Sequence, residues 1–288
     1  MRTLVILGPT ASGKTKLAVE EALARNAEII SCDSMQVYRG LAIGTAQPEP
    51  ELLATVPHHF IACLDIHEPW DVNRFVTACR EKMEEIRLRG KGIVIVGGTG
   101  LYAKSLIYGH TLLPSDAKVF AEIVALYGDG EGRRQLEAEL EAVSPREEIP
   151  ADVLLNPRRL LRACEVVRIT GKPPWQWHDK PLVASPEFEQ RILLPDFAQL
   201  KEKIRLRTAQ MLRDGWIEEA RCAISNGLLE TPTARQALGY RDIGEYLAGR
   251  GAKSQEELQE VLANRTIQYA RRQITWFKHQ HPGADFVF

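Results

Sequence analysis

Three short, largely apolar runs punctuate the first hundred positions: Leu4 to Leu7, Glu28 to Cys32 and Ile93 to Val96. Each is rich in Ile and Val, and stretches with helical spacing separate them. A run apolar on both faces reads as a buried strand, and alternation of such strands with helices predicts a parallel α/β sheet with its loops gathered at the carboxyl ends. Phe188 to Leu194 reads as a further strand returning to that sheet. From about Pro114 the pattern changes to helices with polar faces: Asp116 to Tyr127, then a break at Gly128-Asp129-Gly130-Glu131-Gly132, then Arg133 to Val143. A third helix has Asn156 as N-cap, Pro157 in its first turn and Gly171 just past its end, with Leu160, Ala163, Cys164 and Val167 as its apolar stripe. The last helix opens with the capping box Ser254 and Glu257. The expected organisation is an α/β core over residues 1–112 and 186–288, with an all-helical insertion over 113–185.

Each of the first three strands runs into a chemically loaded segment. The first ends in Gly8-Pro9-Thr10-Ala11-Ser12-Gly13-Lys14-Thr15, a full G-x-x-x-x-G-K-[ST] match. Between a strand and a helix, such a loop aims backbone N–H groups and a helix N-terminus at one spot, which suits a diphosphate, with Thr15 beside a magnesium ion. The second ends in Asp33-Ser34-Met35-Gln36 and the third in Gly97-Gly98-Thr99-Gly100. Open α/β sheets bind ligands beyond the carboxyl ends of their strands, so these three segments are expected in one crevice. Asp33 there would accept a proton or hold magnesium, or else act as a local cap; spacing leaves both open. The third strand lacks the terminal Asp that usually holds magnesium in phosphate-loop hydrolases, which argues against ATP hydrolysis.

The 288 residues carry a net charge of −1, with 44% hydrophobic and 26% charged residues. That is ordinary for a globular protein, so the distribution of charge matters more than its sum. Arg158, Arg159, Arg162 and Arg168 surround the stripe of the third helix, and Arg265, Arg271, Arg272 and Lys278 lie on the last, where Arg271, Thr275 and Lys278 share a face. Such segregation suits a nucleic-acid backbone, although solvated helix faces carry charge too. His58 and His59 are adjacent and would point to opposite faces of a strand, so they do not share a metal. Trp175 and Trp177 are read as packing residues, with base stacking as the alternative. Five cysteines without a C-x-x-C pair suggest neither a disulfide framework nor a zinc site. No apolar run spans a bilayer, and strand and loop follow Met1 too closely for a signal peptide, so a cytoplasmic protein is expected.

Taken together, Gly8 to Thr15, Asp33 to Tyr38, Pro57-His58-His59, Gly97 to Tyr102, Arg235-Gln236-Ala237-Leu238-Gly239-Tyr240-Arg241 and Arg272-Gln273-Ile274-Thr275-Trp276-Phe277 resemble the tRNA dimethylallyltransferases, in that family's order and over nearly the whole chain. The resemblance implies transfer of a dimethylallyl group from dimethylallyl diphosphate to N6 of the adenosine immediately 3′ of the anticodon. It implies that the phosphate loop grips the donor's diphosphate, with Mg2+ as cofactor, Asp33 as general base, Thr99 as a substrate contact and Arg207 as a diphosphate-neutralising cation. The segments that match tRNA contacts are Asp33, Ser34, Met35 and Gln36; Thr99; Arg158, Arg159, Leu160, Leu161 and Arg162; Gln236 to Arg241; and Arg271, Arg272, Gln273, Thr275 and Lys278. The expected partner is the tRNA anticodon stem-loop, bound by a monomer. Two departures from the family pattern stand out. Asn156 follows the apolar Val153-Leu154-Leu155 where an acid and a His are common, which leaves tRNA contacts in that turn open, and Lys203 stands where Arg is frequent. With no zinc finger after Phe288 the chain resembles the bacterial type. The alternatives are an adenylate dimethylallyltransferase, a small-metabolite kinase and a non-catalytic RNA-binding module.

Overall fold

The computed structural model describes residues 2–109, 113–128, 130–177 and 183–288. Leu112, expected to end the first core segment, and Asp129 lie outside them. The chain divides into two compact units, residues 1–109 with 183–288, and residues 110–182.

The first unit is built on six parallel strands: β1 (Thr3–Leu7), β2 (Ala27–Ser31), β3 (His58–His59), β4 (Gly92–Gly97), β5 (Phe188–Leu193) and β6 (Asp285–Val287), in the order β3-β2-β4-β1-β5-β6. The strands expected from the apolar runs are all present. The edge strands β3 and β6 were not anticipated, because two and three residues carry no readable period. β1 and β2 are buried along their whole length, as strands covered on both faces must be. Two apolar clusters cover the sheet, one containing Leu4, Ile6, Ala18, Val19, Ile29 and Val94, the other Val5, Leu7, Ile30, Phe75, Met83, Ile95 and Phe277. The helices of this unit are α1 (Lys14–Ala24), α2 (Pro50–Leu53), α3 (Val72–Leu88) and α4 (Gly100–Tyr108), then α9 (Phe197–Arg213), α10 (Trp216–Ser225), α11 (Tyr240–Leu247) and α12 (Gln255–Gln280).

The second unit holds α5 (Ala117–Leu126), α6 (Gly130–Glu141), α7 (Ala151–Leu155) and α8 (Pro157–Thr170) around its own cluster of Ile123, Leu136, Leu140, Leu160, Ala163, Cys164 and Val167. Helix α6 begins at Gly130 rather than Arg133, so the expected glycine break is partly absorbed into its first turn, with Gly132 buried. Asn156 caps α8 as expected, its Oδ1 accepting from the amides of Arg158 and Arg159. Trp175 packs against this cluster and donates from Nε1 to Ser144 Oγ at 3.1 Å. Entry and exit of this segment are tied together in the first unit, where the Ser185 amide donates to Ile107 O at 3.0 Å.

Candidate active site at the ends of three neighbouring strands

β4 lies between β2 and β1, so the segments that follow these three strands are neighbours. A close backbone approach fixes their spacing: a Cβ on Gly97 would fall 1.9 Å from the carbonyl oxygen of Cys32. The Cys32 amide donates to Val96 O at 2.7 Å and the Thr99 amide to Cys32 O at 3.3 Å. The Thr99 hydroxyl accepts from the Ser34 amide at 3.0 Å and lies 3.3 Å from Ser34 Oγ. Thr99 thereby joins the loop after β4 to the loop after β2.

The phosphate loop leaves β1 and enters α1 at Lys14 with Gly13 in the left-handed region at φ 85°, a conformation that glycine adopts without penalty. Lys14 Nζ donates to Pro9 O at 3.2 Å, folding the ammonium back over the loop. Arg207 of α9 donates to Thr10 Oγ1. Burial pushes the Lys14 ammonium down to about 8, with Asp33 pulling the other way and Arg207 lowering it further. The Arg207 guanidinium is likewise lowered by burial and raised by Asp33. Two cations thus face one carboxylate in a desolvated cleft, an arrangement with a surplus of positive charge that an anion would relieve. Lys203, the departure from the family pattern, is exposed on α9, one turn before Arg207.

Lys14, Thr15, Ser31, Asp33, Gln36 and His58 line this narrow cleft. Asp33 Oδ1 accepts from the amides of Met35 at 2.9 Å and Gln36 at 3.2 Å, so one oxygen has the capping role and the residue still lines the cleft. Gln36 is occupied within the fold, donating to Ala46 O at 2.8 Å and Thr45 O at 3.3 Å and accepting from Ser31 Oγ. Met35 packs against the core. His58 Nδ1 bonds Val56 O at 2.8 Å, while its buried Nε2 has no protein partner. His59 instead pairs with Glu28 at 2.7 Å, so the two histidines do part as expected. Among the described residues no group of three His, Cys, Asp or Glu could hold a metal ion alone.

The residues assigned to RNA separate into exposed and buried sets. Arg271, Arg272, Thr275 and Lys278 of α12 are exposed, with the Arg271 guanidinium 5.1 Å from the Phe197 ring centroid and that of Arg272 5.9 Å from Tyr269. Gln236 and Arg241 are also exposed. Leu160, Ala237, Gly239 and Tyr240 are buried, and Leu161 is half-buried against the second unit's core, so the side chains of Leu160, Leu161, Ala237 and Tyr240 serve packing. Tyr240 donates to Glu219 Oε1 at 2.6 Å, and that carboxylate also takes the amides of Ile43 and Gly44 at 2.8 Å. Gln273 is buried as well, bonded to Thr10 and Gly98 instead of joining the basic face. On α8 the charge is largely compensated: Arg159 pairs with Asp152, Arg162 with Glu165 at 2.5 Å, and Arg168 with Glu139 at 2.6 Å, while Arg158 is exposed.

What the sequence reading missed is the inward half of α12. Tyr269 is half-buried; burial raises its phenol and the Asp33 charge raises it further. The signal was present, since Leu262, Thr266, Ala270, Gln273 and Phe277 follow one another at helical spacing and are all buried.

Residues 36–280 match the family model of IPP transferase. The tRNA dimethylallyltransferase of Thermus thermophilus is 40% identical, covering 99% of this chain and 91% of its own, and that of Caulobacter sp. is 35% identical, covering 99% and 92%. The crystal structure of the tRNA isopentenylpyrophosphate transferase from Bacillus halodurans superposes with a TM-score of 0.70 at 32% identity, over 99% of this chain and 89% of that one. A eukaryotic dimethylallyltransferase acting on tRNA gives a TM-score of 0.79 at 25% identity, over 96% and 70%. With a six-stranded parallel core, a complete phosphate loop and these likenesses along its length, the chain belongs to the IPP transferase family of tRNA dimethylallyltransferases.

Proposed function

We propose that this protein transfers a dimethylallyl group from dimethylallyl diphosphate to N6 of the adenosine immediately 3′ of the anticodon in tRNA. The observation that carries the reading is that Lys14 and Asp33 line one cleft while Arg207 bonds Thr10 of the same phosphate loop. Breaking the allylic C–O bond leaves negative charge on the departing diphosphate. Lys14, folded back over the loop, and Arg207, held at Thr10, are already in position beside the loop, so they stabilise that charge more in the transition state than in the ground state. Asp33 Oδ1 is taken up by its own turn, so Oδ2 accepts the proton that N6 loses on forming the new C–N bond. Thr99 contributes by holding the Asp33-Ser34 loop at a fixed distance from the loop after β4.

Magnesium fits the cleft as a hard cation with oxygen donors: the Thr15 hydroxyl and diphosphate oxygens would hold it, and it would neutralise diphosphate charge. An adenine stacked in the anticodon loop does not reach such a narrow cleft, so the base is flipped out and the flanking backbone held outside. The exposed Arg271, Arg272 and Lys278 serve that backbone, with Gln236, Arg241 and Arg158 as further contacts and residues 113–185 as a helical insertion that touches tRNA. Five free cysteines fit the reducing cytoplasm, and among the described residues no helix is long and apolar enough to cross a membrane.

Incubation with radiolabelled dimethylallyl diphosphate and either bulk tRNA or AMP tests the reading. Label appears in tRNA. Label in AMP alone would make the protein an adenylate dimethylallyltransferase, and label in neither would refute the transfer.

A further inference from the structure

Gln273 is 7% exposed on a helix whose neighbouring Arg271, Arg272 and Thr275 face solvent. A buried amide is tolerated only when bonded, and this one is bonded at both ends. Its Oε1 accepts from the Thr10 amide in the phosphate loop at 2.9 Å, and its Nε2 donates to Gly98 O at 2.9 Å. Only this orientation of the amide satisfies both partners, since one is a donor and the other an acceptor. The approach to residue 98 also depends on its lacking a side chain, because a Cβ there would lie 2.5 Å from Gln273 Nε2. One side chain of the basic helix therefore spans the loop that follows β1 and the turn that follows β4.

We propose that Gln273 is a positioning residue for the transfer reaction: it sets the distance between Thr10 of the phosphate loop and Gly98, next to Thr99. This rests on the reading of the phosphate loop as the diphosphate site. Arg207 reaches the same loop through the Thr10 hydroxyl. Without Gln273, the Thr10 backbone loses its fixed relation to Thr99 and hence to Asp33. The damage falls on the donor and on the chemical step, and leaves the outward RNA-binding face of α12 intact.

The test uses the full chain and compares Gln273→Met, Gln273→Glu and Gly98→Ala, with Lys14→Ala as reference. Melting temperature, tRNA Kd by filter binding, and kcat and KM for dimethylallyl diphosphate are measured for each. Gln273→Met keeps length and loses both hydrogen bonds; KM for the donor rises about tenfold and kcat falls about tenfold, while tRNA Kd stays within about twofold. Gln273→Glu is worse for the donor, since it sets an oxygen against Gly98 O and adds negative charge near the diphosphate. Gly98→Ala displaces only the flexible end of Gln273, so it tests the inference even if Gln273→Met does not fold, and it gives the same pattern as Gln273→Met. Combining Gly98→Ala with Gln273→Met adds little to either alone. Wild-type donor constants in Gly98→Ala or Gln273→Met, or a lowered melting temperature with unchanged kinetics, would overturn the inference. So would loss of tRNA affinity with intact donor kinetics, which would return Gln273 to the RNA face. If Lys14→Ala leaves donor KM unchanged, the phosphate-loop reading itself fails, and the inference with it.

Discussion

Gly97→Ala tests whether strand spacing governs the chemistry. The added Cβ would fall 1.9 Å from Cys32 O, 2.4 Å from Cys32 C and 2.8 Å from Cys32 Cβ. Widening the shortest approach to about 3.0 Å, ordinary for tightly packed backbone, needs a movement of about 1.1 Å between the ends of β2 and β4. The atoms met are backbone, so no rotamer change relieves the clash. Such overpacking costs about 1–3 kcal/mol, against about 0.4–1 kcal/mol gained by restricting the unfolded chain, so the substitution destabilises. At about 2–4 °C per kcal/mol for a protein of this size, the melting temperature falls by several degrees. The kinetic effect is larger, because Asp33 and Thr99 sit just beyond the two displaced ends, and a 1 Å misplacement costs roughly 10²-fold in rate. Single-turnover transfer and thermal denaturation measure the two effects. Gly92→Ala, at the opposite end of β4 where the nearest atoms lie at 3.1 Å, is the control and keeps its rate. Wild-type turnover in Gly97→Ala, whatever its melting temperature, would refute the link between strand spacing and catalysis.

Three further outcomes are expected. Asp33→Asn keeps the turn's hydrogen bonds but accepts no proton at neutral pH, so single-turnover transfer falls about 10²-fold or more while both substrates bind; a near wild-type rate would make Asp33 a cap only. Replacing Arg271, Arg272 and Lys278 by Ala weakens tRNA binding and lowers the log–log salt slope by roughly 0.7–0.9 for each phosphate no longer neutralised, whereas an unchanged slope would mark a solvated face. Buried His281, packed between Tyr108 and Phe277, has its imidazole pushed down from 6.5 to about 4 by burial. The unfolded chain then binds the extra proton first, so stability is complete above about pH 6.5 and falls as pH drops towards 4, by up to about 3 kcal/mol. Urea denaturation across that range shows a shallower acid loss for His281→Gln, and an identical pH profile would exclude His281 as the source.

The sheet and the cleft were legible because each depends on a short local pattern: apolar runs for β1, β2 and β4, and a contiguous loop motif between β1 and α1. The helix caps at Asn156 and Ser254 were readable for the same reason, since their hydrogen bonds are made within three residues. Direction was harder to read. Leu160, Ala237, Tyr240 and Gln273 sit among exposed polar and basic residues in sequence but turn inward, and whether a polar residue such as Gln273 is buried depends on Thr10, 263 positions away. The compensation of the α8 arginines was hidden likewise, because Asp152 and Glu139 come from other elements of the second unit. The role of Arg207 rests on α9 bringing it to Thr10, which no local pattern states.

The hydrogen bond between Ser185 and Ile107 closes the segment 110–182 at its base. Loop-closure entropy grows only with the logarithm of length, so a segment whose ends already meet adds almost the same cost to the core whether it is short or long. With a hydrophobic centre of its own, the segment can lengthen, shorten or be exchanged in evolution while the strand order, the phosphate loop and Asp33 stay as they are. The cost of carrying the segment is thus largely uncoupled from its size, so its length and the chemistry of the core can vary independently.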